Sequence, residues 1–298
     1  MSFEYVTVAG AGVLGSQIAF QCAYHGHLVC LYDLSEAALA QARNHFAELQ
    51  QAYKRDLGAS AEAVGAAFAR ISYADDLAQA VVAADLVIEA IPEVLAIKQA
   101  FYTQLGPLAP VHTVFATNSS TLLPSQMAAM TGRPAQFLAL HFANTIWINN
   151  TAEIMGHATT DPAVFQQVVD FAKTIGMVAL PLQKEQPGYI LNTLLVPFLN
   201  AGMGLLRDGV SDVPTIDKTW MIATGAPMGP FAILDVVGVK TAYNIAFGRA
   251  QATGDPASGA LAEYLKVNYI DQGKLGVATG EGFYRYPHPE YQDPDFLK

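Results

Sequence analysis

Three glycines near the N-terminus constrain this chain more than any other feature. Residues 4–9 (EYVTVA) alternate and are rich in β-branched side chains, the pattern of a strand. They run directly into Gly10-Ala11-Gly12-Val13-Leu14-Gly15, and the apolar-periodic stretch to about Tyr24 reads as a helix. The G-x-G-x-x-G spacing is weak alone and gains weight between a strand and a helix. Gly10 permits a tight turn, Gly12 lets the backbone approach a pyrophosphate, and Gly15 lets helix and strand pack closely. The helix N-terminus then offers free N–H groups and a partial positive charge to the phosphates. A second strand, 28–32 (LVCLY), ends at Asp33, close to the roughly twenty-residue spacing of a ribose-binding acid. A carboxylate there accepts from the ribose hydroxyls and repels a 2′-phosphate, so the expected cofactor is NAD(H) rather than NADP(H). The same residues also have plain structural readings, a tight turn without ligand and a helix-start acid. FAD is the rival cofactor and ranks below NAD for a chain of 298 residues.

Strand–helix alternation continues beyond this unit. Ser35 is placed to cap a helix with Leu39, Ala42 and Phe46 on one face, and an Ala-rich helix over 60–69 makes a hairpin with it. Further strands are expected at 86–90, 113–116 and 137–141, with helices over 93–105 and 123–130. Such alternation means a doubly wound, mainly parallel α/β sheet of Rossmann type, with ligands beyond the C-terminal strand ends. The pattern changes near Gln186–Pro187. Long apolar-periodic stretches at 188–208, 214–223, 231–248 and 258–272 then dominate without strand alternation. The expected division is a dinucleotide-binding domain over 1–186 and an all-helical domain over 187–298. The tail, 286–298, reads as packed irregular chain.

Composition excludes several classes. Hydrophobic residues make up 52% and charged residues 14%, enough apolar surface for a large core and unlike a disordered chain. The net charge is −10, with 16 Lys and Arg and no basic run longer than Lys54–Arg55, so a nucleic-acid partner is not expected. Cys22 and Cys30 lie in apolar segments without metal or redox spacing, which suits a reducing, cytoplasmic compartment and gives no metal site. The N-terminus shows no basic region of a signal peptide. Residues 186–206 lack charge and imitate a membrane span, but Pro187, Asn192, Pro197 and Asn200 face lipid poorly. A buried helix at a domain or subunit interface is the expectation.

Four polar residues stand out in apolar surroundings: Ser120 after a strand end, His141 at the end of another strand, Glu153, and Asn192 inside the long apolar stretch. All but Asn192 should fall near the C-terminal edge of the sheet. Hydride transfer to or from an alcohol carbon needs a proton acceptor or donor for the oxygen, and His suits that near neutral pH. A carboxylate partner fixes its tautomer, and Ser and Asn donate hydrogen bonds to the reacting oxygen. Each residue also has a bland reading: a satisfied core histidine, a solvated acid, a helix cap, a buried amide with partners. Periodicity does not decide among them.

Taken together these residues resemble the 3-hydroxyacyl-CoA dehydrogenase family over nearly the whole chain. The resemblance rests on the glycine fingerprint, Asp85-Leu-Val-Ile-Glu89, Glu93 with Lys98, Asn118-Ser-Ser120, His141-Phe-Ala-Asn144, Glu153 and Pro187-Gly-Tyr-Ile-Leu-Asn192. It extends through Gly225-Ala-Pro-Met-Gly-Pro230, Leu234-Asp235-Val-Val-Gly238 and Gly280-Glu-Gly-Phe-Tyr284. It implies His141 as acid/base with Glu153 as its partner, Ser120 and Asn192 on the reacting oxygen, and Glu93, Lys98 and Asn118 near the nicotinamide half of NAD. It also implies a role such as that in fatty acid metabolism, and a homodimer formed through the helical domain, without a membrane. After His141-Phe the family shows Asn-Pro-x-Pro-x-Met-Lys, whereas this chain reads Asn144-Thr-Ile-Trp147-Ile-Asn149-Asn150. That altered loop, with Trp220, looks more like the bacterial diketoreductase branch, which acts on β-keto and β,δ-diketo esters. Asn144, Trp147 and Trp220 are therefore the substrate-lining candidates, and Lys54, Arg55 and Arg70 the candidates for a CoA tail. The remaining alternatives are a dehydrogenase of a free 3-hydroxy acid such as gulonate or carnitine, and an NAD-binding structural or sensing protein.

Overall fold

The computed structural model describes residues 3–298. Contacts divide it into two compact units that meet between Ile190 and Leu191. The first is an eight-stranded sheet with helices on both faces. Its strands are β1 (Tyr5–Ala9), β2 (Leu28–Tyr32), β3 (Ile71–Ala74), β4 (Leu86–Glu89), β5 (Val114–Thr117), β6 (Phe137–Phe142), β7 (Thr151–Met155) and β8 (Val178–Leu182). Its helices are α1 (Val13–Tyr24), α2 (Glu36–Leu57), α3 (Ala61–Ala69), α4 (Leu77–Val81), α5 (Leu95–Leu108) and α6 (Pro162–Thr174). Strand order is β3-β2-β1-β4-β5-β6-β7-β8. Every pair from β3 through β6 is parallel, β7 runs antiparallel to β6, and β8 parallel to β7. The order reverses at β1, and the crevice between the C-terminal ends of β1 and β4 is where such sheets bind ligands.

Both faces of the central strands β4, β5 and β6 are buried, which is why they read as continuous apolar runs. In β4, Leu86 and Ile88 join the layer packed on α1, α2, α3 and α6, while Val87 joins the layer under α4 and α5. Phe20, Phe46 and Tyr53 fill the first layer and are fully buried. Each such side chain contributes about 1.5–3 kcal/mol by burial. Local signals fix the helix ends. The Ser35 and Ser60 hydroxyls accept from Ala38 N and Ala63 N, and Gly58, in the left-handed region, ends α2.

The sequence reading differs from the structure at several points. The helix expected over 123–130 is replaced by two short 3₁₀ turns, Pro124–Gln126 and Ala128–Thr131. Pro124 begins the stretch and Gly132, in the left-handed region, ends it, and the bonds between them close over three residues. Strands β3, β7 and β8 were not anticipated. Strand β7 carries Glu153 in mid-strand, and β8 contains Pro181, which the edge of a sheet tolerates.

The second unit is helical: α7 (Leu191–Arg207), α8 (Val213–Thr224), α9 (Pro230–Val237), α10 (Val239–Thr253) and α11 (Pro256–Asn268). The single stretch expected over 231–248 breaks at Gly238 (φ +94°), where α9 and α10 meet at 93°. Among the described residues no single helix is long and apolar enough to cross a membrane.

Two buried aspartates organise this unit. Asp217 accepts from Phe231 N and Ala232 N, both 2.9 Å, at the start of α9, and from the Tyr284 hydroxyl at 3.0 Å. Asp235 accepts from Phe283 N and Tyr284 N, both 2.8 Å, and from the Tyr286 hydroxyl at 3.1 Å. Burial pushes both carboxyls above the usual range, against the pull of these donors. Gly282 is required beside them, because a Cβ there would lie 2.0 Å from Asp235 Oδ1. Asp235→Ala leaves three donors without their acceptor and is expected to destabilise this unit by about 3 kcal/mol. Urea unfolding checks this; an unchanged midpoint contradicts the role given to Asp235.

Candidate active site

The glycine loop leaves β1 at Gly10, whose φ of +111° suits glycine and whose N–H donates to Tyr32 O at 2.8 Å. A Cβ on Gly15 would lie 1.9 Å from Gly10 O, so α1 packs on the strand end only with glycine there. Gly12 is the N-cap of α1 and supplies no side-chain cap, and a Cβ on it would meet nothing within 4 Å. The first-turn N–H groups of α1 thus have no side-chain cap, and there is room beside Gly12. Asp33 follows β2; its Oδ2 accepts from Ala11 N at 2.9 Å and its Oδ1 from Ser35 N at 3.1 Å. Burial, then the charges of Asp33, Asp76 and Asp75, raise the Tyr32 hydroxyl. An uncapped helix start, room at Gly12 and an acidic ribose end fit the pyrophosphate and adenosine ribose of NAD, and disfavour a 2′-phosphate.

Beside the loop, a buried charge network joins β4, α5 and the chain after β5. Glu89 ends β4 and is fully buried. Its carboxylate accepts from Lys98 Nζ (2.5 Å), Ile91 N (2.9 Å), the Thr117 hydroxyl (2.7 Å) and the Tyr102 hydroxyl (3.2 Å). Lys98 is 1% exposed, and its ammonium also meets Ile91 O at 3.2 Å and Glu93 Oε2 at 3.4 Å. Glu93 Oε1 accepts from the Ser119 hydroxyl (2.6 Å), Thr121 N (2.8 Å) and the Thr121 hydroxyl (2.8 Å). Partial burial raises the Glu93 carboxyl, but these donors and Lys98 outweigh it and hold the group below its usual range. Asn118 Oδ1 accepts from Phe142 N at 2.9 Å, tying this segment to the end of β6.

His141 and Glu153 are a directly opposed cross-strand pair on β6 and β7. His141 Nδ1 lies 3.1 Å from Glu153 Oε2, and Nε2 lies 3.1 Å from the Ser120 hydroxyl. The two side chains are 5% and 3% exposed. An ionised carboxylate only accepts, so Nδ1 carries a hydrogen and Nε2 faces Ser120. Glu153 Oε1 accepts from Ile190 N at 2.9 Å. The Tyr189 ring stacks on His141 with centroids 4.4 Å apart and planes at 14°, and its hydroxyl donates to Ser119 O at 2.7 Å. Glu89 and Tyr189 lie in the family-like stretches of the sequence, but neither was given a role there. An acid ending a buried strand was the available signal for the first, and nothing in the pattern marks the second.

The loop between β6 and β7 is held from below. Gln17 Oε1 accepts from Thr145 N (2.8 Å) and Ile146 N (3.4 Å). The Trp147 indole donates to Asp56 Oδ2 at 3.0 Å and packs on Tyr53 with centroids 5.5 Å apart. Asn144 is exposed, its carbonyl accepting from Asn149 Nδ2 at 3.0 Å. Of the basic candidates, Arg55 forms a two-point ion pair with Asp56, and Arg70 donates to Ala23 O at 3.1 Å. The structure thus gathers Ser120, His141, Glu153, Glu93, Lys98 and Asn118 in the first unit. Asn192 and Trp220 belong to the second, where Asn192 lies in the first turn of α7 and Trp220, 40% exposed, packs on Phe198 at 4.4 Å.

Two family models match the chain: 3-hydroxyacyl-CoA dehydrogenase, NAD binding domain, over residues 5–186, and 3-hydroxyacyl-CoA dehydrogenase, C-terminal domain, over residues 188–286. The mitochondrial hydroxyacyl-coenzyme A dehydrogenase of Rattus norvegicus is 35% identical over 289 residues, covering 95% of this chain and 91% of the rat protein. A 3-hydroxybutyryl-CoA dehydrogenase of Clostridioides difficile is 30% identical over 291 residues, covering 94% and 99%. Among solved structures, one described as a diketoreductase with substrate-directed dual catalysis of dicarbonyl compounds is 57% identical. It superposes with a TM-score of 0.91 over 96% of this chain and 100% of that one.

Because Lys98 neutralises a fully buried Glu89, Lys98→Met is expected to destabilise the sheet unit by about 3 kcal/mol. A lowered urea midpoint is the expected result, and a wild-type midpoint contradicts a structural ion pair.

Proposed function

Because the chain belongs to the 3-hydroxyacyl-CoA dehydrogenase family, as an NAD-dependent oxidoreductase acting on CH–OH groups, we propose that it interconverts 3-keto and 3-hydroxy acyl compounds and favours β-dicarbonyl esters over CoA thioesters. The observation carrying this reading is the 57% identity to the diketoreductase structure, against 30–35% to the two CoA-thioester dehydrogenases. The altered loop supports it. So does Arg70, whose guanidinium donates to Ala23 O.

In this reading NADH, when bound at the glycine loop, supplies the hydride that C3 of the substrate receives. Protonated His141 gives the Nε2 proton to the carbonyl oxygen as charge develops there, while its Nδ1 hydrogen stays on the ring and is donated to Glu153. Ser120, within hydrogen-bond distance of Nε2, donates to the same oxygen. Glu153 holds the ring orientation and stabilises its charged form. The Glu89–Lys98–Glu93 network fixes the 118–121 segment that carries Ser120. In the oxidative direction His141 takes the hydroxyl proton.

Following NADH absorbance with acetoacetyl-CoA and with a β-keto ester lacking CoA tests the substrate. The ester is expected to exceed the thioester in kcat/KM; an equal or higher value for the thioester overturns the preference. In the same assay His141→Ala is expected to lower kcat by about 10²–10⁴-fold while NADH still binds. Near-normal turnover removes His141 from the mechanism.

A further inference from the structure

The two hydrogen bonds of His141 lie in the plane of its ring, one to Glu153 from Nδ1 and one to Ser120 at Nε2. Two in-plane bonds define an axis and leave rocking about that axis unrestrained, so only contacts on the ring faces can stop it. Tyr189 supplies such a contact, nearly parallel to the imidazole at 14° and 4.4 Å. The phenol is itself immobilised: it is 1% exposed, packed with Ala139 and Met155, and bonded through its hydroxyl to Ser119 O. Its backbone has φ +54°, a conformation that residues with a Cβ rarely adopt and that glycine would adopt without strain. Its ring is thus retained at a position where the backbone alone favours glycine. The next residue closes the arrangement, since Ile190 N donates to Glu153 Oε1.

We propose that Tyr189 is a positioning residue for proton transfer: its ring holds the His141 imidazole in the plane that points Nε2 at the reacting oxygen, while the same turn orients Glu153. The proposal rests on the acid/base role given above to His141. It acts on the chemical step through His141 and leaves the glycine loop untouched.

The test compares Tyr189→Leu, which fills volume without a ring face, and Tyr189→Phe, which keeps the face and loses the hydroxyl, in the folded full-length enzyme with a β-keto ester and NADH. Tyr189→Leu is expected to lower kcat by about 10–100-fold, as a misplaced catalytic group does, with NADH affinity by fluorescence titration unchanged. Tyr189→Phe is expected to lose no more than about fivefold, the worth of one hydrogen bond. In a His141→Ala background the Leu substitution is expected to lower turnover no further, because it acts through a ring already removed. Wild-type kcat in the Leu variant, a Phe variant as impaired as the Leu variant, or an equal further loss in the His141→Ala background each overturns the proposal. Should the Leu variant not fold by circular dichroism, Tyr189→Met replaces it and the Phe comparison stands. Full turnover in His141→Ala alone would instead remove the acid/base role on which the proposal depends, so the two failures are told apart.

Discussion

The site depends on one reversal of strand direction. Strands β1 to β6 advance in parallel, and β7 then returns antiparallel along β6. Opposed residues of such a pair have Cβ atoms about 4.5–5.5 Å apart and share a face of the sheet. That proximity lets a carboxylate reach an imidazole without a loop to carry it. The register is exacting, because a slip of one residue would send Glu153 through to the other face and bring Ala152 or Ile154 opposite His141. The apolar neighbours guard against this slip: Ala152 and Ile154 belong to the layer on α1, α2, α3 and α6, and Met155 to a small cluster with Tyr189.

Charge is managed in the same manner, by pairing inside the fold. Glu89 sits with no solvent contact and is balanced by a lysine equally buried. A pair of this kind adds little net stability over an apolar substitute, but it has demanding geometry. Here that geometry is transmitted outward through Glu93 to Ser119 and Thr121, the residues flanking Ser120. In the helical unit Asp217 and Asp235 do the comparable task with backbone N–H groups and tyrosine hydroxyls in place of a cation.

The glycine loop and Asp33 were legible in the sequence because their geometry is local: a turn, a helix start and a strand end, all within one β–α–β unit. The division into a sheet unit and a helical unit was legible because the apolar period changes. The relation between His141 and Glu153 followed from the family resemblance and not from periodicity, since it depends on a strand that the alternation did not reveal. Strand β7 is short and interrupts its apolar run with Glu153 itself, and the proline in β8 argued against a strand there. The network around Lys98 was invisible for a different reason. A lysine in a helix looks solvated until the fold shows that Glu89 lies beneath it. Over 123–130 the apolar spacing suggested a helix, and the flanking Pro124 and Gly132 prevailed.

Trp147 ties the segment most unlike the family to parts of the chain far from it in sequence. Its indole needs Asp56 at the end of α2, Tyr53 lies against its ring, and Gln17 in α1 receives the N–H groups of the two residues before it. The segment is therefore not a detachable module. A chimera that moved residues 144–150 into another chain would keep the indole's hydrogen bond only where an acceptor stands at the place of Asp56. The reciprocal exchange would remove the indole from Asp56, leaving that carboxylate to Arg55. The 144–150 segment is thus held in place by groups spread over the first two helices, and its shape is a property of three stretches of chain rather than one.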